Sequence, residues 1–211
     1  MQQQWGPYPF DTIGGVVPDG DIAWAPEPQT RPVYGKLMWR TSESNILTVV
    51  HENSHQWFGN SVSLNEWRDI WLTESFARYA EWLWTEAHGG TSAQQQFDDL
   101  DAGHPADDPW WTLKVADPGG GHIFDDAVYG RGAMTLQALR NRLGDTAFRE
   151  LLRGWATTRR YGNASIEDFI AHAVETTGLD LRGFFTDWLF TGTKPASTEA
   201  NGYRAPGHTA R

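Results

Sequence analysis

The run His51-Glu52-Asn53-Ser54-His55 constrains this chain more than any other feature. Two imidazoles four residues apart fall on one face of an α-helix, one turn apart, where they can share a single cation. The surrounding residues predict such a helix. Ile46, Leu47, Val49, Val50, Trp57 and Phe58 recur at helical spacing from Ser44 onward, and Gly59-Asn60 closes the segment. Glu52 lies next to the pair, and its carboxylate can take a proton from a water at the metal and pass it to a leaving amine.

A hydrolytic zinc site has three protein ligands and one open position, so a third ligand must come from elsewhere. The chain has no cysteine, which excludes thiolate sites and leaves imidazole and carboxylate as donors. Glu74 is the natural candidate. The eighteen residues from Gln56 to Thr73 let one helix end, the chain turn, and a second helix present a carboxylate. That second helix is predicted over Ile70 to His88, with Trp71, Leu72, Phe76, Tyr79, Leu83 and Trp84 on helical repeats and Gly89-Gly90 at its end. Glu81, seven residues after Glu74 and on nearly the same face, is placed either to orient a ligand from behind or to form a structural ion pair.

Composition removes several other classes. The 211 residues carry a formal charge of -10, and the basic residues form no stripe that could follow a phosphate backbone, so nucleic acid is not an expected partner. No run of eighteen apolar residues is present, and Met1-Gln2-Gln3-Gln4-Trp5 lacks the features of a signal peptide. A soluble protein is expected, with the compartment left open. His88, His104, His122, His172 and His208 have no paired metal spacing and are read as surface or structural residues.

Along the chain, residues 1–43 carry much Pro and Gly between short apolar pieces and predict turns and short strands. Residues 44–90 hold the two motif helices. Within 91–195, residues 99–122 predict a long loop with room for a short helix at its start, followed by helices over Gly132 to Leu143, Thr146 to Thr157, Ile166 to Thr177 and Leu181 to Phe190. Asp145 and Ser165 are N-cap candidates. One catalytic domain over 1–195 and a polar, frayed tail over 196–211 are expected.

The run His51-Glu52-x-x-His55-Gln56-Trp57-Phe58-Gly59-Asn60, followed by Trp67-x-Asp69-x-Trp71-Leu72-x-Glu74-x-Phe76-Ala77-x-Tyr79-x-Glu81, resembles the M1 family of zinc aminopeptidases. The resemblance implies one Zn2+ per chain held by His51, His55 and Glu74, with Glu52 as general base and peptides as substrates. Val128-Tyr129-Gly130-Arg131-Gly132-Ala133 is similar to the family segment whose tyrosine stabilises the oxyanion, which assigns that role to Tyr129. The family binds the substrate α-ammonium group with a Gly-x-Met-Glu-Asn segment. The corresponding stretch here reads Ala25-Pro26-Glu27-Pro28-Gln29-Thr30, so only Glu27 carries over.

The resemblance further implies a mostly helical α+β, thermolysin-like zincin domain with a partial N-terminal β-sheet, preceded in the full-length protein by a β-rich domain. Asn53 and Ser54 replace apolar and small residues inside the zinc helix, and Ser75 stands where the family usually has Gly. Two other readings stand beside the aminopeptidase: a zinc endopeptidase or other hydrolase using the same ligands without Glu27, and a non-catalytic zincin-fold domain kept for protein contacts.

Overall fold

The computed structural model describes residues 1–38 and 41–204, with residues 42 and 43 described by their backbone alone. Helices dominate. They are α1 (Gln2–Trp5), α2 (Ser42–Ser54), α3 (Trp71–Ala87), α4 (Ala93–Gly103), α5 (Asp126–Leu143), α6 (Asp145–Thr158), α7 (Ile166–Thr177) and α8 (Arg182–Phe185), with a π-helical turn continuing the last over Thr186–Phe190. Short 3₁₀ turns lie at Lys36–Met38, Trp67–Asp69, Pro109–Thr112 and Glu199–Asn201. No helix among the described residues is long and apolar enough to cross a membrane.

The helices begin and end where local chemistry dictates, with informative exceptions. Thr41 caps α2, its hydroxyl accepting from the Ser44 amide at 3.1 Å. The helix stops at Ser54, short of the expected Gly59-Asn60, yet His55 keeps right-handed helical angles (φ −58°, ψ −19°). The one-turn offset between the two histidines therefore survives. On the same helix, Asn53 Nδ2 donates to the Val49 carbonyl at 2.8 Å and the Ser54 hydroxyl to the His51 carbonyl at 2.7 Å.

Ser165 caps α7 as expected, whereas Asp145 does not cap α6. Gly144, at φ 77°, occupies the cap position, and Asp145 is the first helical residue, paired with Arg140 Nε at 2.7 Å. The helix predicted from Gly132 starts earlier, at Asp126, because the Asp125 carboxylate accepts from the Ala127 amide at 3.1 Å. Tyr129 is consequently in the first turn of a helix. The stretch 99–122 opens on the last turns of α4 and contains a 3₁₀ turn around Trp110-Trp111, so it is less of a loop than its Pro and Gly content suggests.

The small sheet pairs β1 (Val62–Leu64) with β2 (Gly162–Ala164) in parallel, Val62 opposite Gly162. Parallel pairing needs a long crossover, and α3 to α6 supply it. In the N-terminal part, where a partial sheet is expected, the described residues show an isolated bridge between Val16 and Val33. Pro9, Pro18, Pro26, Pro28 and Pro32 deny that stretch the amides a ladder needs.

The core forms where α3 packs on α5 and α2. Trp71 lies edge-on to Phe76 and Phe169, each at 5.3 Å between ring centres, and Phe169 meets Trp155 in the same way at 5.2 Å. Trp57 and Trp71 are buried, as expected for core residues. Residues 196–204 also join this body: Asn201 bonds Asp187 at 3.0 Å, and the Tyr203 hydroxyl donates to Asp101 at 2.9 Å. The rest of the expected tail, including His208, lies outside the described residues.

Ser75 has a clear structural role. Buried completely, it donates to the Val128 carbonyl at 2.6 Å across the α3–α5 contact. The contact is so close that a Cβ on Gly132 would run into the Ser75 hydroxyl and lie 2.8 Å from Trp71 Cδ1. Gly132→Ala is therefore expected to destabilise the chain by about 1–3 kcal/mol, and adding Ser75→Gly should recover much of the loss. Thermal unfolding checks this. A single variant as stable as the parent would show that the two helices have slack.

Candidate metal centre and active-site cleft

His51 stands in the last turn of α2, His55 one turn further at its end, and Glu74 in the first turn of α3. The intervening strand and 3₁₀ turn bring the start of α3 back beside the end of α2. At a helix N-terminus the unpaired amides favour the charged carboxylate of Glu74. His51 Nε2 lies 3.3 Å from Glu74 Oε2 and His55 Nε2 lies 3.7 Å from the same oxygen. One donor atom from each of the three falls within 4.8 Å of the other two.

These residues fit a zinc ion. Tetrahedral bonds of about 2.0–2.1 Å place neighbouring donor atoms about 3.3–3.4 Å apart, close to the spacing found. The other imidazole nitrogens are already engaged: His51 Nδ1–H donates to Glu81 Oε1 at 2.7 Å, and His55 Nδ1–H to the Phe58 carbonyl at 3.2 Å. Both rings thus present Nε2 to a common point, as metal-binding histidines do when an outer partner fixes the tautomer.

The electrostatics lead to the same assignment. Burial lowers the His51 imidazole, but hydrogen bonds to Glu74 and Glu81 and their charges outweigh it and bring its pKa to about 10. The Glu74 carboxyl is held low by His51 and His55 despite its burial. A positive charge is strongly favoured between these groups, and a divalent cation can supply it in place of the proton.

Glu52, on the adjacent position of α2, is 5% exposed and faces the same cleft. Burial, then the charges of Glu27, Glu74 and Glu81 against an opposing His51, push its carboxyl up to about 8. A divalent cation alongside acts in the opposite sense and favours the ionised form.

Tyr129 stacks near His51, ring centres 6.0 Å apart, and its hydroxyl feels the charge of the Glu74 carboxylate. Burial first, and then Glu74, raise its phenol, so it remains a proton donor. Glu81 is held between His51 and Arg78, whose Nη1 donates to Oε2 at 2.8 Å. Its two oxygens therefore serve an imidazole and an ion pair at once. Glu81→Gln is expected to weaken zinc binding by about 10–100-fold, measured by competition with a chelator. An unchanged affinity would leave Glu81 as a structural charge.

His51, Glu52, His55, Glu74 and Tyr129 line a cleft of about 890 Å³ that also includes Glu27, Leu64, Ile70 and three well-exposed aromatics, Trp24, Trp67 and Phe124. The aromatic rim and the residues that hold the Glu27 loop are not identified by spacing. Trp67, Gln56 and Asn60 fall within the runs quoted for the family resemblance, which was the available signal. Of the other histidines, His88 stacks on Trp84, His104 on Trp110, and His172 meets the Leu151 carbonyl, all apart from the cleft.

A helix bearing two imidazoles and an adjacent glutamate, with a carboxylate from the next helix aimed at the same point, defines a zinc metallopeptidase of the His-Glu-x-x-His class. The chain belongs to peptidase family M1, whose profile, described as "Peptidase family M1 domain", matches residues 36–188. It is 30% identical over 179 residues to Aminopeptidase M1-D of Oryza sativa subsp. japonica, covering 80% of this chain and 20% of that protein. Aminopeptidase N of Streptomyces lividans is 30% identical over 164 residues, with 71% and 19% covered.

Among solved structures, an M1 zinc metallopeptidase of Deinococcus radiodurans bound to a Tyr-Ser-Ala substrate superimposes with a TM-score of 0.75 at 26% identity, over 90% of this chain and 42% of that one. The chain spans about a fifth of the length of the curated relatives it matches.

Proposed function

We propose that this chain carries the catalytic centre of a zinc-dependent aminopeptidase, which hydrolyses the peptide bond following a free amino-terminal residue. His51, His55 and Glu74 would hold one zinc ion. Bound there, zinc would acidify a water molecule and polarise the scissile carbonyl. Glu52 is placed to take the proton of the attacking water and return it to the departing amine. The Tyr129 hydroxyl, kept protonated, is a donor to the oxygen that gains negative charge as the carbonyl is attacked. Glu81 holds the His51 ring in register from behind.

Glu27 supplies the anion for the substrate α-ammonium group. It lines the same cleft as the ligands, and its charge acts on both Glu52 and His55. The observation that carries the reading is the convergence of three donor atoms within 4.8 Å, with Glu52 beside them and Glu27 facing them in one cleft.

Glu27→Ala tests the exopeptidase part. Its kcat/KM on aminoacyl anilides is expected to fall about ten- to a hundredfold, the worth of one charge-assisted hydrogen bond, while hydrolysis of N-acetylated peptides stays at the parent's level. Equal losses on both substrates would reject the role of Glu27 and favour an endopeptidase.

A further inference from the structure

The loop that carries Glu27 is tied by two side chains to the turn that follows α2. Asn60 Nδ2 donates to the Glu27 carbonyl at 2.7 Å, and Gln56 Oε1 accepts from the Thr30 amide at 2.7 Å. Gln56 directly follows the ligand position His55 and is completely buried. Asn60 also reaches back to the His55 carbonyl, at 3.4 Å.

The loop has few other means of attachment. Pro26 and Pro28 have no amide hydrogen, so this stretch is held largely through its carbonyls. Pro26 O accepts from Val33 at 2.9 Å and Pro28 O from Arg31 at 3.1 Å. Those two bonds tie the loop only to the neighbouring segment. The bonds from Gln56 and Asn60 connect it to the turn that runs on directly from α2 and its two histidines. Thr30, which receives the Gln56 bond, has a φ of 64°, a conformation that a threonine adopts only where its surroundings impose it.

Resting on the aminopeptidase reading above, we propose that Gln56 and Asn60 are positioning residues that set the distance between Glu27 and the metal ligands, and so fix which peptide bond from the amino terminus is cut. Both sit within five residues of His55. A displacement of the end of α2 would carry ligand and anion site together. An exopeptidase needs that coupling, because its register depends on the separation between ammonium site and scissile carbonyl, not on either alone.

The test uses the zinc-loaded chain bearing Glu52→Gln to suppress turnover, with calorimetric titration of a free-amine tripeptide and its N-acetylated form. Asn60→Ala, and Asn60→Asp as a variant of nearly equal shape that lacks the donor, should each weaken the free-amine peptide about five- to tenfold, the worth of one hydrogen bond. The N-acetylated peptide should be unaffected. In a Glu27→Ala background the Asn60 substitutions should have no further effect, since they act through Glu27.

Hydrogen exchange supplies a readout independent of peptide binding: the amides of Glu27, Gln29, Thr30 and Arg31 should exchange faster in the Asn60 variants, with the α2 amides unchanged. Equal weakening of both peptides, persistence of the effect without Glu27, or unaltered exchange would overturn the proposal. If Glu27→Ala alone leaves free-amine and blocked peptides alike, the aminopeptidase reading fails with it. If Glu27→Ala discriminates between them and Asn60→Ala does not, only the positioning role fails.

Discussion

Glu52→Gln should lower kcat for free-amine peptides by about 10²–10⁴-fold, the usual contribution of a positioned general base, with zinc content and KM little changed. The substitution keeps the shape of the side chain and removes only its ability to take a proton. Glu52 is nearly buried, flanked by His51 and surrounded by Glu27, Glu74 and Glu81. Such a site favours a carboxylate only while a cation offsets its acidic neighbours. Single-turnover rates, together with metal analysis of the same samples, check the expectation. A fully zinc-loaded Glu52→Gln variant that turns over like the parent would remove Glu52 from the chemistry.

His55→Ala should abolish stoichiometric zinc binding and, with it, the stabilisation that zinc confers. Any ligand that binds only the folded state stabilises it by RT ln(1 + [L]/Kd), or about 4 kcal/mol at a thousandfold excess over Kd. For a chain of this size that corresponds to a rise in Tm of roughly 8–16 °C on adding zinc to metal-stripped protein. His55 is 1% exposed, donates through Nδ1 to the Phe58 carbonyl, and lies with Nε2 3.7 Å from Glu74 Oε2. No neighbouring side chain among the described residues can replace it as a third donor. The measurement is the zinc-dependent difference in Tm for parent and variant, so a general loss of stability through the cavity cancels. A variant that still gains the full increment would mean that the ion sits elsewhere.

The metal trio was legible in the sequence because it is built from local periodicity. A spacing of four on a helix places His51 and His55 together whatever the rest of the chain does, and Glu74 needed only a second helix after a short turn. That remained true although α2 ends at Ser54, since His55 keeps helical angles beyond the last full turn. The cap at Ser165 was visible for the same reason. The early start of α5 and the failed cap at Asp145 were misread because Asp125 and Gly144 compete for those boundaries with neighbours of nearly equal propensity.

The sequence by itself therefore determined which side chains come together as a group able to hold a cation, and that helices carry them. Only the tertiary structure decided what surrounds that centre. Glu81 is committed to His51 and Arg78, Gly132 accommodates Ser75, β1 pairs with a strand some hundred residues later, and the Glu27 loop hangs from Gln56 and Asn60. These pairings join residues far apart in the chain. Helical and strand periods specify which face of an element is buried, whereas partners across a core are selected by the packing of whole elements, and no single stretch of sequence encodes that.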